Sequence, residues 1–330
     1  KGMEIMRGFS KKWLDLPDYI LGITQEIWEN RGIATLNHYY AKDIPMRFPE
    51  GISIGNQKTI NGTLATLAEF PDRELTGEDV IWSGNDTDGF LSSHRLLTMG
   101  THAGHGYFGP PTGKRFVIRA IADCAAINGQ INDEWLIRDT AGIVSQLGMN
   151  PKEFAYDLIK REGGPEKCVQ PLCPENNIEG PYKGKGNDNQ WGEKLSEILT
   201  LMMTKDFAVI RKEYDRAVQT EHPCSTTVHS WSDTEALWMG LRASFPSAEF
   251  KIEHQIGRED PMLSPSAAIR WSLFGKHDGW GIFGQPSGAK IYVMGFTHAE
   301  FGPFGLRREF TLFDHVSIWK QIFIQTGTNN

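Results

Sequence analysis

Along the chain, apolar residues first recur at helical spacing. Ile20, Ile23, Ile27 and, beyond Gly32, Ile33 and Leu36 predict a helix over residues 19–40. A shorter helix is expected after Asn61-Gly62, ending at Phe70-Pro71. The period then changes. Residues 92–101 and 115–126 read as strands, Asn128-Gly129 as a tight hairpin turn, and Gln130–Arg138 as the returning strand. On the strand before the hairpin the alternation is explicit: Phe116, Ile118, Ala120, Ala122 and Cys124 share one face, Arg119 and Asp123 the other. Helices first and hairpin-linked strands after argue for an α+β fold, not a doubly wound sheet.

The pattern is then written a second time. The shift that carries Gly100 onto Gly275 also carries Arg95 onto Arg270, His102 onto His277, Gly104 onto Gly279, Phe108 onto Phe283 and Gly113 onto Gly288. It aligns Tyr39 with Tyr214, Phe70-Pro71 with Phe245-Pro246, Glu134 with Glu309 and Asp139 with Asp314. Such clustering of glycines at one shift marks a tandem duplication. The second copy opens on a predicted helix over residues 195–214, with Ile198, Leu199, Met202, Phe207 and Ile210 at helical spacing. The boundaries that follow are residues 1–148 for copy one, 149–191 for a linker with one helix (Pro151–Arg161), and 192–330 for a divergent copy two.

Composition narrows the function. The 34 basic and 41 acidic residues leave a net charge of −7, without the basic footprint of a nucleic-acid binder. With 39% hydrophobic and 23% charged residues the chain has the material for a large core, which excludes wholesale disorder. No run reaches the length of a membrane-spanning helix. The opening Lys1-Gly2-Met3-Glu4-Ile5-Met6 has no apolar leader, so Met3 is the expected native start and the cytoplasm the expected compartment. Cys124, Cys168, Cys173 and Cys224 lack metal-ligand spacing and are expected as free thiols, with a surface disulfide between Cys168 and Cys173 the alternative in an oxidising compartment.

Two patterns imitate catalytic motifs. Gly104–Gly109 has G-x-G-x-x-G form, but Pro110-Pro111 follow at once and no helix opens there, so no nucleotide cofactor is expected. The glycines read instead as bends in a strand pair. Gly51-Ile52-Ser53-Ile54-Gly55 has G-x-S-x-G form, but the next helix is expected only at about Asn61, and copy two has Val228 where Ser53 stands. His94, His102 and His105 could be drawn together as a metal site, but copy two keeps only one of the three, so no metal is expected.

The ordered run Gly100-Thr101-His102-Ala103-Gly104, Phe108-Gly109-Pro110-Pro111-Thr112-Gly113-Lys114, Asn128-Gly129-Gln130-Ile131, Glu134-Trp135, Asp139 and Gln146-Leu147-Gly148 resembles the SnoaL-like polyketide cyclase family, part of the nuclear transport factor 2-like (NTF2-like, cystatin-like) superfamily. Copy two departs from it at Phe310 and at Ile322-Phe323. The resemblance implies two cone-shaped α+β barrels, each a curved antiparallel sheet wrapped over its amino-terminal helices around an apolar pocket. It also implies pairing through the sheets, which a tandem chain can do within itself, with further homodimerisation open. No metal or cofactor is implied: side chains move protons on a small apolar or aromatic carbonyl compound, closing a ring by intramolecular aldol reaction or isomerising or hydrating it. The family's aspartate lies on the strand before the hairpin. An ungapped match puts it at Ala122; a hairpin one residue shorter puts it at Asp123, the one acid on that strand.

Asp123 is therefore either the catalytic acid–base group or half of a surface ion pair with Arg119. In copy two the same position is His298, a different proton carrier, which points to a copy with another activity or none. His102 is the candidate to polarise the carbonyl or pair with Asp123, with His277 its counterpart and His105 beside it; otherwise its ring packs beneath the glycine bend. Arg95, Glu134 and Asp139 either line the pocket or fix the sheet. Trp82 and Trp135 are pocket walls or core, and Tyr39 and Tyr214 are placed to point a phenol inward. The alternative to an enzyme is a non-catalytic protein whose two cones bind a small molecule or act as a scaffold.

Overall fold

The computed structural model describes residues 6–327; the expected start at Met3 and the leader reading at residues 1–5 fall outside the described residues. In the first unit, α1 (Leu16–Ile27) starts where Asp15 caps the Asp18 N–H and Pro17 fits the first turn. It buries Leu16, Tyr19, Ile20, Ile23 and Ile27 on one face. The single helix expected over residues 19–40 is broken. Arg31 takes a left-handed conformation and the chain restarts as a 3-10 turn and α2 (Leu36–Tyr39). A Cβ at Gly32 would crowd the Glu26 carbonyl, so the reversal needs glycine there.

A short hairpin, β1 (Pro45–Phe48) and β2 (Gly51–Ile54), leads into α3 (Asn56–Glu69), which begins five residues before the expected start. Then come β3 (Glu74–Asn85), β4 (Gly89–Thr101), β5 (Arg115–Ile127) and β6 (Gln130–Arg138). Asn128 and Gly129 both have positive φ, the primed turn that matches strand twist. The six strands form one sheet in the order β2-β1-β6-β5-β4-β3, antiparallel except where β1 meets β6. Two helices follow, α4 (Thr140–Gln146), capped by Asp139, and α5 (Pro151–Arg161).

The second unit repeats the order: α6 (Gln190–Met203), α7 (Ala208–Glu213), β7 (Tyr214–His222), β8 (Thr226–His229), α8 (Ser230–Ser244), β9 (Glu249–Arg258), β10 (Ser266–Lys276), β11 (Lys290–Gly302), β12 (Gly305–Leu312) and α9 (His315–Thr326). Its sheet order, β8-β7-β12-β11-β10-β9, is that of the first. The helix expected over 195–214 is also split, between α6 and α7. No helix among the described residues is long and apolar enough to cross a membrane, and all four cysteines are free.

The glycine block is explained by packing. Gly106 bridges to Gly109, and a Cβ at Gly104 would overlap the Ala68 carbonyl at the end of α3. Gly279 meets Ala243 in the same way. The retained glycines let this bend close on the helix end.

The two sheets face each other. Ile121, Ala125, Trp135 and Ile137 of the first unit share a buried cluster with Ala268, Met294, Phe296 and Leu312 of the second. Polar groups cross this layer in pairs related by the repeat. Arg270 donates to Asp123 at 3.2 Å and lies 3.8 Å over the Trp135 ring. Arg95 donates to His298 Nδ1 at 3.0 Å and lies 3.6 Å over the Phe310 ring. With Nδ1 accepting, His298 carries its proton on Nε2 and donates it to Ser93 at 2.8 Å.

Burial raises Asp123 to about 6, with Arg270 pulling the other way. The native state then holds this proton more tightly than the unfolded chain, so the stabilisation is full below the ordinary carboxyl range and lost as pH rises through 6. Relative to Asp123→Asn, the wild type should lose stability between pH 4 and 7, on the order of 3 kcal/mol at most. Urea denaturation across that range measures it; a constant difference would contradict the assignment.

Candidate active site

One face of β4, β5 and β6 looks away from the interface, toward α1, α2 and α3, and encloses a cavity of about 330 Å³. Small side chains on β5 create the space: Ala120, Ala122 and Cys124 line it, with Leu96 and Leu136 on the flanking strands and Ile20, Ile23 and Ile27 from α1 opposite. Several titratable groups stand in this surface, and two of them suit proton transfer. Glu134 on β6 is 4% exposed and His94 on β4 is 5% exposed. The Tyr40 hydroxyl donates to Glu134 Oε1 at 2.8 Å, and the Cys124 thiol donates to the same oxygen at 3.0 Å.

Both donors fall on one oxygen, so Oε2 has no protein donor among the described residues. Burial raises the Glu134 pKa more than these two bonds lower it. Burial also pushes His94 down to about 4, so its imidazole is neutral at physiological pH. The pair can thus move a proton and hydrogen-bond an oxyanion without bringing a net positive charge into the pocket.

The second unit shows the same scaffold filled. Trp271 stands where unit one has Leu96, and Trp238 where it has Thr63; both are fully buried. Gly295, in place of Ala120, makes room, since a Cβ there would overlap the Trp271 ring. Glu309, the counterpart of Glu134, is bonded on both oxygens. The Trp238 indole donates to Oε1 at 3.0 Å, Tyr214 donates to Oε1, and His222 and Thr311 reach Oε2 at 2.6 and 2.9 Å. These bonds outweigh burial and hold Glu309 below its ordinary value. In unit one the positions of His222 and Trp238 are Phe48 and Thr63, so Glu134 is left with a free oxygen beside open space.

Of the residues expected from the sequence to be catalytic or to line the pocket, Glu134 lines the cavity and the others lie elsewhere. The placement of Asp123 in the pocket is corrected: strand parity turns it into the sheet interface, where its partner is Arg270, not Arg119, which pairs with Glu78 and Glu221. His102 is also corrected. It sits beneath the glycine bend between Glu69 at 2.9 Å and Thr112 at 3.1 Å, away from Asp123. His277 repeats that place with Ser287, and His105 is exposed. Arg95, Trp135 and His298 belong to the interface, Asp139 caps α4 and accepts from Cys224 and Ser225, and Trp82 stacks under Arg258. Tyr39 bonds Glu26 at the surface; Tyr40 is the structural counterpart of Tyr214, one residue off the sequence match. Ser53 lies within β2, shortly before α3, and lines the cavity, but β2 is an antiparallel hairpin strand and the described residues give Ser53 no histidine partner. His94, Tyr40 and Cys124 were missed as a group. Alternation on β5 was the available signal, because it groups Ala122 and Cys124 on the face opposite Asp123.

Residues 19–147, within the first unit, match the family model of SnoaL-like polyketide cyclases. Among solved structures, wild-type IdmH of Streptomyces antibioticus is 25% identical, with 40% of this chain and 98% of that one covered at a TM-score of 0.35. A SnoaL-like protein of Jannaschia sp. CCS1 is 15% identical (40% and 90% covered, TM-score 0.36). A SnoaL-like polyketide cyclase of Agrobacterium tumefaciens is 17% identical (40% and 97% covered, TM-score 0.34). No curated protein matches the chain.

If the filled core of unit two is what Trp271 supplies, Trp271→Leu should cost about 3 kcal/mol, within the range for large-to-small core changes. Chemical denaturation monitored by circular dichroism reads this; a cost below 1 kcal/mol would show that the core collapses around the gap.

Proposed function

We propose that the first unit is an acid–base enzyme acting on a small carbonyl compound held in its cavity, and that the second unit is a non-catalytic partner. Glu134 carries the reading: a buried carboxyl with one oxygen bonded and the other free, beside apolar space. As carboxylate it takes a proton from the carbon next to the substrate carbonyl. The enolate oxygen is then stabilised by the N–H of neutral His94, and the protonated Glu134 returns its proton to the product oxygen or carbon. Intramolecular aldol closure and isomerisation both use this first step, and hydration of an enone runs it in reverse as its last. Tyr40 and Cys124 hold Glu134 in place, and the family match of residues 19–147 supports chemistry of this class.

The test is exchange of the methyl protons of 2-acetylnaphthalene with solvent deuterium, followed by NMR. Glu134→Gln should slow protein-catalysed exchange by about 10²–10⁴-fold while leaving ligand binding intact. The rate should rise with pH as Glu134 ionises, in a range above that of an ordinary carboxyl because burial raises it. Tyr40→Phe removes a donor that favours the carboxylate, so this limb should move to higher pH. His94, near 4, adds no limb between pH 6 and 7. Binding without exchange above the Glu134→Gln level would instead establish a small-molecule-binding protein.

A further inference from the structure

The cavity contains charge that the proton-transfer site does not use. Arg73, in the turn after α3, is 3% exposed, yet no carboxylate lies within ion-pair distance of it among the described residues. Its guanidinium makes one hydrogen bond, from Nε to Thr98 Oγ1 at 2.9 Å, and its terminal nitrogens have no protein acceptor among the described residues. Phe116 lies 5.0 Å from its guanidinium and Phe70 5.7 Å, so the group is held from behind by rings. Arg138, at the end of β6, lines the same cavity, half-buried and also without an ion-pair partner among the described residues. The two are close enough that the charge of Arg138 disfavours that of Arg73. Lys58 adds a third cation to the lining, against the acids Glu50 and Glu134.

A buried, unpaired guanidinium is expensive unless something pairs with it. Arg73 does not serve as a backbone clamp either. In unit two the equivalent turn is held by Arg242, which donates to the carbonyls of Phe245 and Ala248. At the positions of Arg73, Arg138 and Thr98 that unit has Ala248, Phe313 and Leu273. The cavity and its two arginines therefore occur in the same unit and are absent from the same unit.

We propose that Arg73 and Arg138 form an anion subsite and that the ligand is a carbonyl compound carrying a carboxylate. The site rests on the cavity reading above and specifies its substrate class. Two planar guanidinium forks suit the two oxygens of a carboxylate, and the rings behind Arg73 fix the direction of approach. Glu134 and Arg138 stand on the same face of β6 four residues apart, roughly 13 Å along the strand. The substrate's reacting carbon and its carboxylate are accordingly at opposite ends of an elongated, flat body.

The probe is 6-acetyl-2-naphthoate, compared with its methyl ester by isothermal titration calorimetry on the full chain. The acid should bind at least tenfold more tightly at low salt, and the difference should shrink as salt rises. Arg138→Met should abolish most of the preference, and so should Arg73→Met. Should Arg73→Met not fold, Arg73→Lys keeps the charge but loses the planar fork, and a several-fold smaller preference is expected. Equal binding of acid and ester by the wild type, failure of the acid to bind at millimolar concentration, or a preference unchanged in Arg138→Met overturns the subsite. Deuterium exchange into the acetyl group separates this from the acid–base reading. Loss of exchange in Glu134→Gln with no acid preference condemns the subsite alone, and an acid preference without exchange condemns Glu134 alone.

Discussion

The central strands β4, β5 and β6 are buried on both faces, and the rest of the molecule follows from that. One face closes over helices; the other closes against a second sheet. Because successive side chains point to opposite faces, neighbouring residues serve different purposes. On β5, Ala120, Ala122 and Cys124 look into the cavity, while Ile121, Asp123 and Ala125 look into the second unit. Two pairs of polar groups on the interface face meet across it. Arg270 reaches Asp123, Arg95 reaches His298, and aromatic rings lie against both guanidinium groups. A group of this kind left unpaired would cost several kcal/mol, which ties the register of one sheet to that of the other.

Duplication gives one scaffold two interiors. In unit two, Trp238 and Trp271 occupy the volume that is open in unit one, and Gly295 exists to admit one of them. The same substitutions settle the inward glutamate. Glu309 has four donors and is held ionised, whereas Glu134 has two donors on one oxygen and is shifted upward. Unit two thus has a filled core, and unit one has a chamber in which Arg73 and Arg138 form no ion pair among the described residues.

Most of the element order was legible in the chain. Strand periodicity, the Asn128-Gly129 turn and the repeated glycines fixed the antiparallel sheets and the duplication, and the linker helix Pro151–Arg161 lies where its pattern put it. The errors were local. Both long amino-terminal helices are split at Arg31-Gly32 and at Thr204–Phe207, and α3 starts at Asn56 directly after Gly55. Apolar spacing survives a short break in a helix, so periodicity alone does not detect one.

The site was legible only by halves. Sequence determined which residues share a face: the alternation on β5 separated Ala122 and Cys124 from Asp123 without reference to coordinates. It could not say which face is the pocket, since both faces are buried and both are mixed in polarity. Tertiary structure decided that by docking the second sheet on the Asp123 side, which turned two candidate catalytic groups, Asp123 and His298, into partners of Arg270 and Arg95. It also joined His94, Glu134, Arg73 and Arg138 around one cavity, although they are contributed by β4, β6 and the turn after α3. Local sequence specifies period and turn; what a side chain faces depends on which surface arrives opposite it.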